Sequence, residues 1–449
     1  MAITSEAATA TAPPGLRWPV MVQTILFNQF RPTLLPLLRR RYGDVFTVRM
    51  APGNRLVVLL ARPDDIRTVF AGPAAVFHAG EGNAILGPVM GDHSVLLVDE
   101  DEHRRVRKLL MPAFHGAALR GYQGLVARLA EAEVETWPTG RVFASHGRMN
   151  ALTLEIILQV VFGVTDPGRL ARLRPLVRRL VSIGPFIMLG WFYPALRGFG
   201  PWRRYQEAQA ELDRLLYAEI AERRAAGDLT GRHDVLSRLL RVSEESDDGD
   251  RLTDEELRDQ LITLLLAGHE TTATTLAWTM HELARRPGRL RAAQRAADEH
   301  DDEYLTAVAK ETLRLRPVIF EVARKLTEPV DIGGYRLPAG AVVAPGIGLV
   351  QSDPRNHPEP DEFRPERFLD GQPPANTWIP FGGGVRRCLG AGFSLMEASV
   401  VLGELLRRYD VRPDRRRPEH RRARNITLVP SRGARVAITR RSSGSSTDR

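Results

Sequence analysis

Residues 253–287 leave little freedom to the fold. Thr253 and Glu256 carry the S/T-x-x-E spacing of a capping box behind the acidic run SEESDDGD, and Pro287 ends the helical pattern that follows. The spacing predicts a helix over Asp254–Arg286, a rod of about 50 Å at 1.5 Å per residue, enough to cross a whole domain. The other elements must wrap around it. In its middle lies AGHETTATT, residues 267–275, which is poor helix material. Gly268 costs roughly 1 kcal/mol relative to alanine, and the threonines can turn their hydroxyls back onto helix carbonyls. Such a weak point signals either a functional opening or small residues that admit a neighbouring helix.

The rest of the chain supplies mostly further helices. In WRRYQEAQAELDRLLYAEIAERRAAGD, Leu212, Leu215, Leu216 and Ile220 form one stripe that stops at Gly227. Two β patches interrupt this pattern. GDVFTVRMAPGNRLVVLLARP predicts strands over Val45–Met50 and Arg55–Leu60 about a Pro-Gly-Asn turn. KLTEPVDIGGYRLPAGAVVAP carries turns at Gly333-Gly334 and Pro338-Ala339-Gly340. Residues 1–16 and RRSSGSSTDR, residues 440–449, have the composition of disordered tails, with no repeat or long linker between them. One domain over 17–439 is expected, mainly α with a small β lobe.

Charge and cysteine usage narrow the function. The net charge of +9 comes almost wholly from arginines spread among 54 acids, with only Lys108, Lys310 and Lys325 as lysines, so no nucleic-acid-binding stripe emerges. A single cysteine excludes an intrachain disulfide and suits a reducing, cytoplasmic setting. The N-terminal residues lack the pattern of a signal peptide, and no run reaches the roughly 20 apolar residues of a membrane span. VSIGPFIMLGWFYPAL, residues 181–196, is uncharged but broken by Gly184, Pro185, Gly190 and Pro194. It reads as a pocket mouth, a peripheral membrane contact or a buried loop between helices.

That cysteine, Cys388, lies in FGGGVRRCLG, just before the helix pattern GAGFSLMEASVVLGELLRRY. A lone thiol can be inert core, a redox group, a nucleophile or a metal ligand. Glycines on both sides let the backbone approach a flat ligand and aim N–H groups at sulfur. Arg386, Arg387 and the following helix N-terminus favour the thiolate. No second cysteine is present for zinc or iron–sulfur ligation, so the arrangement suits an axial haem ligand.

Read as F-x-x-G-x-x-x-C-x-G, with Phe381, Gly384, Cys388 and Gly390, the loop resembles the haem-binding signature of the cytochrome P450 family. Other segments resemble the same family in the same order. DEHRRVRKLLMPAF offers His103 and Arg107, one helical turn apart, which the resemblance makes partners of the haem propionates together with Arg324 and Arg386. AGHETT matches the oxygen-binding motif, with Gly268 opening a groove and Glu270 and Thr271 as the acid and alcohol that deliver protons. His269 beside them reads as solvent-facing or as satisfied core. KETLRLRP and FRPERF supply Glu311, Arg314 and Arg367, a buried charge network that fixes the cysteine loop. The segments 80–116 and 304–317 look most similar to actinobacterial and mycobacterial members.

The resemblance implies a cytochrome P450 fold with haem b between the 254–286 and 390–408 helices. It also implies a monomeric monooxygenase that inserts one oxygen atom from O₂ into an apolar small molecule by hydroxylation or epoxidation. Electrons would come from NAD(P)H through a separate ferredoxin reductase and ferredoxin, docking on Arg104, Arg105, Lys108 and Arg387. Val89, Leu96, Leu97, Ile262, Leu266, Ala267, Val318, Ile319 and Phe320, with Phe186 and Met188, are candidate pocket residues by position relative to the motifs. A peroxygenase driven by H₂O₂ and a non-catalytic haem or small-molecule binding protein are the alternatives.

Overall fold

The computed structural model describes residues 12–164, 166–181, 187, 197–198, 200–227, 229–245 and 251–441. The segment 181–196 therefore lies outside the described residues except for Val181 and Ile187. In chain order, α1 (Val20–Tyr42) leads into β1 (Val45–Met50) and β2 (Arg55–Leu60), then α2 (Pro63–Ala71), β3 (Phe77–His78) and the single turns α3 (Ala79–Gly82) and α4 (Gly87–Met90). There follow α5 (Glu100–Leu110), α6 (Ala117–Glu135), β4 (Val142–Ala144), α7 (Ser145–Phe162), α8 (Pro167–Val181), α9 (Gly200–Ala225) and α10 (Val235–Glu245). The central rod is α11 (Asp254–Ala284), followed by α12 (Pro287–Asp298) and α13 (Asp302–Leu315). After β5 (Arg324–Leu326), β6 (Val330–Ile332), β7 (Tyr335–Leu337) and β8 (Val342–Pro345), the chain makes α14 (Ile347–Gln351) and α15 (Ala391–Arg408). It ends in β9 (Tyr409–Pro413), β10 (Arg421–Arg424), β11 (Thr427–Pro430) and β12 (Arg435–Arg440).

The capping box forms: Glu256 N–H donates to Thr253 Oγ1 (3.1 Å) and Thr253 N–H to Glu256 Oε2 (2.8 Å). α11 stops at Ala284, two residues before the expected end, because Arg286 already serves as N-cap of α12 with Pro287 at its first position. Threonine hydroxyls do return to the helix: Thr271 donates to Ala267 O (2.8 Å), Thr275 to Thr271 O (3.0 Å) and Thr279 to Thr275 O (2.9 Å). A Cβ on Gly268 would lie 2.8 Å from Ile157 Cδ1, so the missing side chain lets α7 pack closely across α11. α15 crosses α11 where Thr272 Oγ1 meets Ser394 Oγ at 3.2 Å.

The β lobe is a five-stranded sheet in the order β1-β2-β8-β5-β3, with β2 parallel to β8 and the other pairs antiparallel. Both sequence-predicted strands appear with their predicted limits, and the Gly333-Gly334 turn joins β6 to β7 with φ of +64° and +86°. Thr47 N–H donates to Pro14 O (2.8 Å), so the last residues of the expected N-terminal tail join this sheet. Among the described residues no single helix is long and apolar enough to cross a membrane.

Two histidines are packed into the helical core as neutral bases. His146 on α7 meets Thr274 Oγ1 through Nε2 at 3.0 Å, and His281 on α11 accepts from Glu419 N–H at 3.4 Å. Burial pushes each down to about 4. Their folded values lie below the ordinary histidine value of about 6.5, so the unfolded chain binds more protons as pH falls. Their contribution is full above about pH 6.5 and is lost toward about pH 4, on the order of a few kcal/mol for the pair. Denaturant midpoints measured across that window should fall with acidification, and less steeply in a His146→Asn/His281→Asn double variant.

Candidate active site

Part of α11 is not packed away. Ala267 is exposed and Leu266, Gly268 and Thr271 are half-buried, although the flanking turns are buried. Cys388, just before α15, is also exposed at its surface, yet protein atoms surround its sulfur on nearly every side. Both facts describe an internal cleft where α11 and α15 approach. Of the candidate pocket residues, Leu96, Leu97 and Ile319 are half-buried, whereas Val89, Ile262, Val318 and Phe320 are buried in the core. Phe186 and Met188 lie outside the described residues.

The cysteine loop is closed by its own backbone. Cys388 N–H donates to Phe381 O (2.8 Å) and Arg387 N–H to Gly384 O (3.1 Å), while Gly390 N–H points at the sulfur. Gly384 adopts φ +64°, and a Cβ there would collide with Phe70 O of α2, as one on Gly383 would with the Phe70 ring. These two glycines therefore serve loop-on-helix packing rather than approach to a flat ligand. Gly390, by contrast, faces open space. Burial pushes the Cys388 thiol up, and Gly390 N–H, Arg107 and Arg387 pull only partly against it. The expectation that local charge alone would favour the thiolate is corrected in two ways: burial outweighs it, and Arg107, not Arg386, joins Arg387 near the sulfur.

His103 and Arg107, both on α5, share a buried pocket with Arg324 of β5 and Arg386. Burial first, then Arg386 and Arg107, pushes His103 down to about 4, and burial with Arg386 brings Arg324 down to about 10. These effects require the four groups to be neighbours. The one carboxylate among them is Asp99, which the sequence reading missed. Asp99 accepts the N–H groups of Ala79 (2.9 Å), Gly80 (2.9 Å) and Glu81 (3.1 Å), and Arg386 ion-pairs with it while also donating to Val95 O and Val98 O. Its sequence signal is faint, an aspartate at the N-cap of α5 whose side chain does not cap.

Glu270 and Thr271 point to different surroundings. Glu270 is buried 3.5 Å from Arg424 Nε, and burial raises its carboxyl against the pull of Arg424 and Thr427. Its Oε1 has no hydrogen-bond partner. Thr271 belongs to the half-buried stretch at the cleft. His269 is satisfied core, its Nδ1 2.8 Å from Leu265 O. A second acid was not anticipated. Glu397 of α15 is buried near Thr272 with both oxygens outside any hydrogen bond, and burial raises it well above the usual carboxylate range.

Behind the loop, Arg314 grips Glu311 through two bonds of 2.7 and 2.8 Å, both side chains being essentially inaccessible. Arg367 Nε stands 3.6 Å from the same carboxylate, and Arg364 N–H donates to it at 2.8 Å. Arg314 also donates to Gln351 O (3.2 Å) and Glu362 O (2.9 Å). Gln351 completes the link, donating to Leu313 O and accepting Ile379 N–H at 3.1 Å, two residues before Phe381.

Of the expected basic docking residues, Arg104 is exposed but paired with Asp101 at 2.7 Å, and Arg105 folds onto Glu256 of the capping box. Lys108 and Arg387 are exposed.

A family model described as cytochrome P450 matches residues 13–437. Cytochrome P450 135A1 of Mycobacterium tuberculosis is 50% identical over 431 residues, 96% of each chain. Cytochrome P450 135B1 of Mycobacterium bovis is 46% identical over 432 residues, covering 95% of this chain and 91% of the relative. A cyanobacterial member solved with retinoic acid superposes with TM-score 0.82 at 22% identity over 96% of this chain and all of that one. A cytochrome P450 haem domain does so with the same score at 23% identity, over 96% and 98%.

The buried network yields the sharpest expectation here. Glu311→Gln leaves the Arg314 and Arg367 guanidiniums without their shared counter-charge, at a cost of roughly 3–5 kcal/mol. Denaturant unfolding should show that loss; a variant as stable as the parent would refute a structural role for the pair.

Proposed function

Because this chain belongs to the cytochrome P450 family and is therefore a haem-dependent monooxygenase, we propose that it holds haem b with Cys388 as the iron ligand and oxidises an apolar small molecule in the cleft under α11. The observation that carries the reading is the pairing of one enclosed thiol with a cationic pocket. Arg107, Arg324 and Arg386 against Asp99 leave two surplus positive charges, with His103 neutral, and the two propionates of haem would balance them. Arginine forks suit carboxylates, and Gly390 leaves room beside the sulfur for a planar group.

When bound, haem supplies the iron at which dioxygen is reduced and one oxygen atom passes to substrate. The chain's own contributions follow from position. Phe381 O and Gly390 N–H fix the sulfur, the latter by a hydrogen bond that tempers its basicity. Leu266 and Ala267, on the accessible stretch of α11, offer the cleft apolar side chains that favour hydrocarbon-rich substrates. Thr271, accessible on the same stretch, donates its hydroxyl proton to Ala267 O, so it would deliver a proton to the cleft by turning that hydroxyl away from the carbonyl. Glu270, with its raised carboxyl against Arg424, is the acid one residue away that can replenish it. Hydroxylation or epoxidation are the reactions this arrangement serves.

Family members take electrons from redox partners. For this chain we assign that role to an NAD(P)H-linked ferredoxin and its reductase in the cytoplasm. An acidic ferredoxin would meet exposed Lys108 and Arg387, the latter one residue from the ligand, and high salt would weaken the encounter.

Two measurements test this. Wild-type protein supplied with haem should give the thiolate-type ferrous carbonyl spectrum, and Cys388→Ser should lose it. Thr271→Ala should keep the substrate-induced Soret shift while product formed per NAD(P)H falls severalfold. Unchanged coupling would remove Thr271 from proton delivery, and turnover with H₂O₂ alone would favour a peroxygenase.

A further inference from the structure

Away from the cleft, a cavity of about 200 Å³ opens between the ends of α11 and α13, α14 and the β10–β11 hairpin. None of the cleft residues lines it. Its walls carry Arg286, Arg314, Arg316 and Arg421, with Asp361 as the one acidic side chain among the lining residues. Three of these arginines are already occupied. Arg314 is spent on Glu311 and two carbonyls. Arg286 and Arg316 share the single carboxylate of buried Glu282, and each also stacks on an aromatic ring, Phe363 and Trp278 respectively.

Arg421 is different. It is half-buried on the cavity wall, and among the described residues its guanidinium makes no hydrogen bond and no ion pair. Exposed Asp361 is within electrostatic reach but does not pair with it. Burial and the nearby Arg316 bring Arg421 down to about 10. A half-buried arginine with none of its donors spent on protein has its guanidinium fork available to an acceptor that enters the cavity. Two carboxylates, Glu282 and Asp361, face the charges of Arg286, Arg316 and Arg421, so the cavity is left electropositive.

We propose that this cavity is a binding site for a small oxyanion of the phosphate type, free or at the end of a small ester, gripped by Arg421 with help from Arg286 and Arg316. Planar guanidinium forks match tetrahedral oxyanions through paired N–H···O bonds. The space admits such a group with some of its water, a water molecule taking about 30 Å³. The occupant would tie three parts of the chain together: Arg421 begins β10, Arg316 caps α13 and Arg286 joins α11 to α12. The hairpin that Arg421 opens also carries Leu428, whose N–H donates to Val318 O (2.8 Å), so the anion would brace the segment that follows α13.

The test is thermal unfolding of the full haem-loaded protein in inorganic phosphate against chloride at matched ionic strength. Phosphate should raise the midpoint saturably above the chloride value, as a ligand of the folded state does. Arg421→Gln should weaken the apparent phosphate affinity by about tenfold or more. A glycerol phosphate arm separates the two sources: stabilisation at lower concentration than inorganic phosphate identifies an ester headgroup, and the reverse identifies the free ion. The proposal is overturned if phosphate stabilises no more than chloride, or if Arg421→Gln retains the full effect. Should that variant fail to fold, Asp361→Asn decides. Removal of the rim carboxylate must tighten phosphate binding, and an unchanged affinity would mean the anion does not sit among these arginines.

Discussion

The grip of Arg314 on Glu311 is the contact on which the architecture around the cysteine turns. Two charges removed entirely from water would be a liability if either stood alone, and their mutual attraction offsets the desolvation only because most of the remaining donors and acceptors are used. Glu311 takes Arg364 N–H as well as the guanidinium, and Arg314 gives its other N–H groups to Gln351 O and Glu362 O. Gln351 then accepts Ile379 N–H, so α13, α14 and the approach to the cysteine loop are fastened at one point. The loop's own backbone bonds hold the sulfur, and this polar network in the core braces the loop from behind.

The central helix resolves a conflict between length and function. A rod that crosses the whole molecule gains from burying all its faces, and α11 is buried along nearly its entire length. A reaction chamber against it requires the opposite. The segment from Leu266 to Thr271 reconciles the two by dividing its faces. Gly268 is spent on close approach of α7 through Ile157, His269 closes onto Leu265 O, and the exposed side is left to Ala267 and Thr271. Small and polar residues in mid-helix cost helix stability, and the return of threonine hydroxyls to the turn above recovers some of it.

Much of this was legible in the chain itself because its signals are local. The capping box, the Gly-Gly hairpin and the two first strands depend on neighbours in sequence, and they appear where their spacing put them. The i, i+3 pairing of Glu311 with Arg314 and the one-turn spacing of His103 and Arg107 are likewise helix geometry. What stayed hidden arises from distant contacts. Asp99 gains its role only when α3 turns three N–H groups toward it and Arg386 arrives from almost 290 positions away. Gly383 and Gly384 look alike whether they make room for a ligand or for Phe70, and only tertiary packing separates the two. Arg105 belonged to a basic run in sequence, yet the fold spends it on Glu256.

On the proposed reading, the same accounting of charge links cofactor and fold. Arg107, Arg324 and Arg386 repel one another in a pocket with little water, and Asp99 answers only one of them. His103 stays neutral there because a further positive charge would add to the repulsion. A dianionic ligand turns that repulsion into attraction and stabilises the native state by an amount that grows with the logarithm of its affinity. The pocket and the Glu311 network therefore act from opposite sides of one loop: the network holds Cys388 in place from behind, while the cations anchor from the front the ligand that Cys388 is to meet. Neither could be moved by one residue without the other losing its partner, since Arg386 and Cys388 are separated only by Arg387.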